Sequence, residues 1–271
     1  MRYSIQELMA RSGVGFGTSG ARGLVEHMTN DICYAYTTAF LKTVVLGARQ
    51  IVLGHDLRPS SPHIAAACAQ ALVQAGLEVV YAGALPTPAI AHYSGRLQAP
   101  AVVVTGSHIP FDRNGIKFYR AEGEISKADE LAIQSATVEV PNGLLSYPLG
   151  LPDSAAFESY VRRYVDFLGT EALSGVTVAV YEHSSVARDV LHTILEALGA
   201  RVIPLGRTDT FVPIDTEAVR AEDVEQARAW AQRHAFDAIL STDGDADRPL
   251  IGGERGSGYV AMSWASCVHS S

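Results

Sequence analysis

Short apolar runs alternate along this chain with stretches of helical periodicity, and that alternation constrains the fold more than any other feature. IVLGHD (51–56), LEVVYAG (77–83) and PAVVVTGS (100–107) are short and almost continuously apolar, so they read as strands buried on both faces. An amphipathic stretch from about Asp31 to Val45 precedes the first, with Ile32, Tyr36 and Phe40 at fourfold spacing and an N-cap at Asn30 or Asp31. An alanine-rich helix stopped by Gly76 follows it, LPTPAI (85–90) reads as a turn, and NGIKFY (114–119) reads as an added hairpin strand. Strands that alternate with helices predict α/β layers, here three-layer α/β/α domains with mixed, largely parallel sheets.

A helix around Lys127 to Thr137 leads into residues 138–154, where Pro141, Pro148 and Pro152 mark a domain boundary. The second half then repeats the grammar without repeating the sequence. A helix (154–167), the strand GVTVAVYEHSS (175–185), a helix, the strand RVIPLG (201–206), a helix (221–234) and the strand DAILS (237–241) follow in order. Val186, Val190, Leu191, Ile194, Leu195 and Leu198 share one face of the middle helix, which Gly199 ends. The expected division is 1–148, 149–255 and an aberrant tail over 256–271, which carries no strand or helix signal and which a shifted reading frame near Gly256 would explain.

Two domains suit 271 residues of 48% hydrophobic and 18% charged composition. A net charge of −8 with no basic stripe argues against nucleic acid or an anionic membrane as partner. Cys33, Cys68 and Cys267 are odd in number and far apart, which excludes a disulfide framework or thiolate zinc site and points to reduced thiols in the cytoplasm. No apolar run approaches the roughly 18 residues that a membrane span needs.

Three loops carry chemistry. In STDGDADRPL (241–250), Asp243, Asp245 and Asp247 alternate with Gly244 and Ala246, so a tight loop can converge its carboxylates on one hard cation. Without a cation the three would repel and raise one another's pKa values. An EF-hand would also use Glu254, but Arg248 stands where that loop needs glycine and a strand precedes it. GFGTSG (15–20) matches GxGxxG yet neither follows a strand nor opens a helix, which excludes a dinucleotide site; with Arg22 it makes an anion-holding turn. In TGSHIPFDRNGIKFY (105–119), Ser107 follows a buried strand as an exposed nucleophile or phosphoryl carrier, without the GxSxG elbow of an acyl hydrolase. His108 adjoins it, and Lys117 lies beyond the hairpin turn.

FGTSGARG, TGSHIPFDRNGIKFY and DGDADR, in that order, resemble the phosphate turn, phosphoserine loop and metal loop of the α-D-phosphohexomutase superfamily. The resemblance covers only the first two of that family's four domains. It implies that Ser107 carries a phosphoryl group and that Asp243, Asp245 and Asp247 bind Mg²⁺ together with a phosphoserine oxygen. It places Arg248 in the same site, and Arg22, His108 and Lys117 around the transferring phosphate. The implied reaction interconverts hexose 1-phosphate and hexose 6-phosphate, of mannose or glucose, through a bisphosphate, with glucose 1,6-bisphosphate or an equivalent as activator. Gly106 and Ile109 depart from the alanine and asparagine of many members. Two other readings stand beside this one: a non-catalytic Mg²⁺- or phosphosugar-binding remnant, and a Mg²⁺-dependent phosphatase using the aspartate loop.

Overall fold

The computed structural model describes residues 1–17, 20–144, 147–216, 219–256 and, for their backbone, 260–261. Contacts divide the chain into two compact units, one of residues 1–106 and 110–156, the other of 107–109 and 157–271.

The first unit contains, in order, β1 (Arg2–Ser4), α1 (Ile5–Ser12), β2 (Gly15–Phe16), β3 (Gly20–Leu24), α2 (Asn30–Thr43), β4 (Gln50–His55), α3 (Ser61–Gln74), β5 (Glu78–Ala84) and α4 (Thr87–Leu97). It continues through β6 (Ala101–Val104), β7 (Arg113–Arg120), β8 (Gly123–Glu124), α5 (Lys127–Ser135) and β9 (Thr137–Glu139). Its main sheet runs β2-β3-β7-β6-β4-β5, with β8 beside β7. Strand alternation sends Ile51, Leu53, Val102 and Val104 into one core with Tyr36 and Phe40 of α2 and the alanines of α3. Small side chains on α3 allow close approach, and Phe40 stacks on Phe118 with ring centres 4.6 Å apart. On the opposite face, Gly54 leaves room for Ile90 of α4, so the sheet lies between helices.

Helix α6 (Ser154–Leu168) runs from the end of the first unit into the second. The second unit then has β10 (Thr177–Tyr181), α7 (Arg188–Ala197), β11 (Arg201–Leu205), α8 (Ala221–Ala231), β12 (Ala238–Thr242), β13 (Pro249–Gly253) and β14 (Val260–Ala261). The sheet order is β11-β10-β12-β13-β14. Val178 and Val180 pack with Leu191 and Leu195 of α7, while Ala179 and Tyr181 face Ala227 and Trp230 of α8. One strand thus serves two helical layers through its two-residue period.

Both domains are α/β/α layers with mixed sheets, as expected, but parallel pairing is confined to β4, β5 and β6 in one and β10, β11 and β12 in the other among the described residues. The other main-sheet pairings are antiparallel because hairpin connections, β2–β3, β6–β7 and β12–β13 among them, return the chain directly. Two local readings also change: LPTPAI opens helix α4, since proline is tolerated at the first helical positions, and the N-cap of α2 is Thr29. Residues 5–12 add a helix that buries Ile5 and Leu8. The expected tail falls outside the described residues, apart from Gly256 and the backbone of Val260–Ala261, which pairs with β13. No helix among the described residues is long and apolar enough to cross a membrane.

Candidate active site

Strand β12 ends in Thr242 and delivers Asp243, Asp245 and Asp247 onto one turn, where one carboxylate oxygen from each lies within 4.8 Å of the others. Asp243 and Asp245 are buried and Asp247 is exposed. Ala246 takes a left-handed conformation with φ 59°, which turns alternate side chains back to the same side. The turn is tied from behind. Thr242 Oγ1 donates to the Asp243 carbonyl at 2.8 Å, and the Val186 N–H donates to the Gly244 carbonyl at 3.1 Å.

Ser107 Oγ donates to Asp243 Oδ2 at 2.7 Å, and His108 Nδ1 lies 3.2 Å from the same hydroxyl. Because the single hydroxyl proton goes to Asp243, the contact with His108 requires Nδ1–H as its donor. Ser107 is 5% exposed, so the expectation of an exposed nucleophile is corrected: the hydroxyl turns toward Asp243 from a left-handed backbone with φ 46°. Gly244 makes this approach possible, since a Cβ there would stand 3.1 Å from the Ser107 carbonyl oxygen.

Burial first, and then the charges of Asp245 and Asp247, hold the Asp243 carboxyl well above the usual carboxylate range. The donors that oppose this are Ser107 Oγ and, at 3.3 Å, the Arg248 N–H. The Arg248 side chain sits against Asp247 at 3.7 Å. A set of clustered carboxylate oxygens, two of them on buried residues, suits a hard divalent cation, and the triad can hold one.

The remaining predicted residues lie in the first unit. Arg22 on β3 pairs with Gly115, and Gly20 pairs with Lys117 on β7, which makes Arg22 and Lys117 diagonal neighbours on one sheet face. Arg22 lies over Gly17, its Nε 2.8 Å from where a Cβ would be. The GFGTSG turn joins antiparallel β2 and β3, consistent with rejecting a dinucleotide site; its Thr18 and Ser19 lie outside the described residues. Sequence reasoning missed Asp56 and Arg58, which follow β4 and are buried beside the serine loop's flanking residues. A charged pair in a proline-rich loop reads as solvated, and its burial shows only once β4, β6 and β7 are assembled.

Two α/β/α domains, with a serine hydroxyl bonded to an acidic turn that can hold a cation, define the class of protein. Residues 13–142 match the model for phosphoglucomutase/phosphomannomutase, alpha/beta/alpha domain I, and residues 157–256 match that for domain II. The chain belongs to the phosphoglucomutase/phosphomannomutase family. It is 46% identical over 256 residues to the phosphomannomutase of Salmonella muenchen, covering 94% of this chain and 53% of that protein. It is 31% identical to the phosphoglucosamine mutase of Granulibacter bethesdensis, covering 93% and 59%. The crystal structure of a phosphoglucomutase/phosphomannomutase family protein from Burkholderia thailandensis shares the fold with a TM-score of 0.71 at 23% identity, covering 88% of this chain and 54% of that one. The chain spans about half the length of the curated relatives it matches.

Proposed function

We propose that this chain carries the phosphoryl-transfer half of a hexose-phosphate mutase, with Ser107 as the group that accepts and returns phosphate. The observation that carries the reading is the 2.7 Å hydrogen bond from Ser107 Oγ to Asp243 Oδ2 inside the acidic triad. Mannose phosphate is the favoured substrate, because identity is 46% to a phosphomannomutase against 31% to a phosphoglucosamine mutase. Free, buried Cys33 and Cys68 support a reducing, cytoplasmic setting.

In the proposed reaction Ser107 Oγ bonds to phosphorus, the bond from phosphorus to the sugar oxygen breaks, and the serine proton is passed on as the sugar hydroxyl gains one. Asp243, Asp245 and Asp247 would hold Mg²⁺, which when bound supplies positive charge to phosphoryl oxygens. Asp243 Oδ2 accepts the hydroxyl proton and orients it, and His108 Nδ1–H, 3.2 Å from the same oxygen, holds it from the other side. Arg22, Lys117 and Arg248 supply fixed positive charge where negative charge develops, which matters more to phosphoryl transfer than a strong nucleophile. A hexose 1,6-bisphosphate such as glucose 1,6-bisphosphate would charge the serine.

A coupled assay following mannose 1-phosphate to mannose 6-phosphate tests the reading. Isomerised sugar that disappears with Ser107→Ala supports it. Inorganic phosphate released without isomerised sugar, independently of Ser107, favours the phosphatase reading, and Mg²⁺ binding without turnover favours the binding remnant.

A further inference from the structure

The first unit buries a complete ion pair that the proposed chemistry does not use. Asp56 and Arg58 are each 2% exposed, with Arg58 Nε 3.4 Å from Asp56 Oδ2. Asp56 Oδ1 accepts from the Arg58 N–H at 3.0 Å and from Ser61 Oγ. Oδ2 accepts from Thr105 Oγ1 at 2.8 Å and from the Gly106 N–H at 3.1 Å. From the other end of the guanidinium, Nη1 donates to the carbonyls of Pro110 at 2.8 Å and Arg113 at 3.0 Å.

Buried pairs of this kind are weak contributors to net stability, because desolvation offsets most of the Coulomb gain and apolar replacements often do as well. What apolar side chains cannot supply is directed bonds to backbone. Here those bonds fall on Gly106 and Pro110, the residues on either side of the segment 107–109. Gly106 has no room for a side chain, since a Cβ would stand 2.3 Å from the Arg58 guanidinium.

We propose that Arg58, held by Asp56, is a positioning residue that buckles Gly106 to Pro110 and Arg113 and thereby fixes the left-handed turn that presents Ser107. The consequence for catalysis rests on Ser107 being the phosphate acceptor. The forked guanidinium is required, because a lysine ammonium has the charge but not the planar reach to Asp56 and two carbonyls together.

The test compares wild type, Arg58→Ala and Arg58→Lys, with Mg²⁺ and glucose 1,6-bisphosphate, following phosphate uptake by intact mass and amide exchange residue by residue. Both variants should lose about 10²-fold in maximal phosphorylation rate, the scale of a small misplacement, with the half-saturating bisphosphate concentration unchanged. In both, the Gly106 and Arg113 amides should exchange on the order of tenfold faster while Leu250 in β13 is unaffected. Wild-type rate in either folded variant, or unchanged exchange at Gly106 and Arg113, overturns the proposal. If Arg58→Ala does not fold, Arg58→Lys retains the charge and decides alone. A wild-type chain that takes no phosphate defeats the reading of Ser107 only; the exchange data still decide whether Arg58 fixes the loop.

Discussion

Two buried aspartates stand at equivalent places in the two units, each directly after a parallel strand, and their surroundings are opposite. Asp56, after β4, receives the Arg58 and Gly106 N–H groups, the Ser61 and Thr105 hydroxyls and the Arg58 guanidinium. Asp243, after β12, receives Ser107 Oγ and the Arg248 N–H, while Asp245 and Asp247 add negative charge to the same turn. One charge is answered by its own chain; the other is compounded by its neighbours. The histidines that support these turns differ in the same way. His55 uses both ring nitrogens, with the Asp56 carbonyl at 2.7 Å and Tyr81 Oη at 2.8 Å. His183 bonds the Thr242 carbonyl at 2.9 Å through Nε2, and its buried Nδ1 has no hydrogen-bond partner among the described residues. A carboxylate satisfied by donors suits a place inside the fold, and one left crowded among other carboxylates suits a cation.

Replacing each aspartate by asparagine breaks the symmetry most sharply. Asp56→Asn leaves Arg58 buried without its counter-charge and should cost about 3–5 kcal/mol in urea unfolding. Asp243→Asn, measured in EDTA at neutral pH, should instead raise the urea midpoint, since it removes a carboxyl that burial and two neighbouring charges disfavour when ionised. Equal losses at the two positions would erase the distinction.

Acid sharpens the contrast between the histidines. Burial lowers His183 from 6.5 to about 4, so between those pH values the unfolded chain binds a proton that the folded chain does not. Stability therefore falls as pH drops from about 6.5 toward about 4, by roughly 3 kcal/mol for this residue. Burial lowers His55 too, adding loss of the same sign. His183→Gln should flatten the curve of stability against pH without abolishing the slope; an unchanged curve contradicts a neutral, buried His183.

Mg²⁺ offers a third comparison. At about a hundredfold excess over its dissociation constant it should stabilise the folded chain by ~2.7 kcal/mol, and by nothing measurable in Asp245→Asn. Calorimetric melts with and without EDTA read this directly. The smallest expected effect is that of Gly244→Ala, whose Cβ would press on the Ser107 carbonyl at 3.1 Å. A loss of about 1 kcal/mol with slower phosphate uptake is expected, and an unaltered uptake rate would mean that this contact does not set the serine's position.

Much of this was readable in the sequence, because period-two and period-3.6 patterns report burial directly. The strands IVLGHD and PAVVVTGS and the apolar face of α7 emerged from pattern alone. Helix α4 did not, since Pro86 and Pro88 read as turn residues although proline at the second helical position leaves every needed N–H in place. The acidic turn was visible because its spacing is local, with Asp243, Asp245 and Asp247 two residues apart. The partnership of Asp56 with Thr105 and Gly106 was not, because it spans about fifty residues and exists only after β4 and β6 pair in parallel. Likewise, nothing local announces that Ser107 meets Asp243, 136 residues away.

The most direct measurement is the intact mass of the full chain, with phosphopeptide mapping, after incubation with Mg²⁺ and glucose 1,6-bisphosphate. One phosphate on Ser107, lost in EDTA and in Asp245→Asn, is the predicted result. An unmodified chain, or phosphate on any other residue, would contradict the assignment of Ser107 as the phosphoryl carrier of this site.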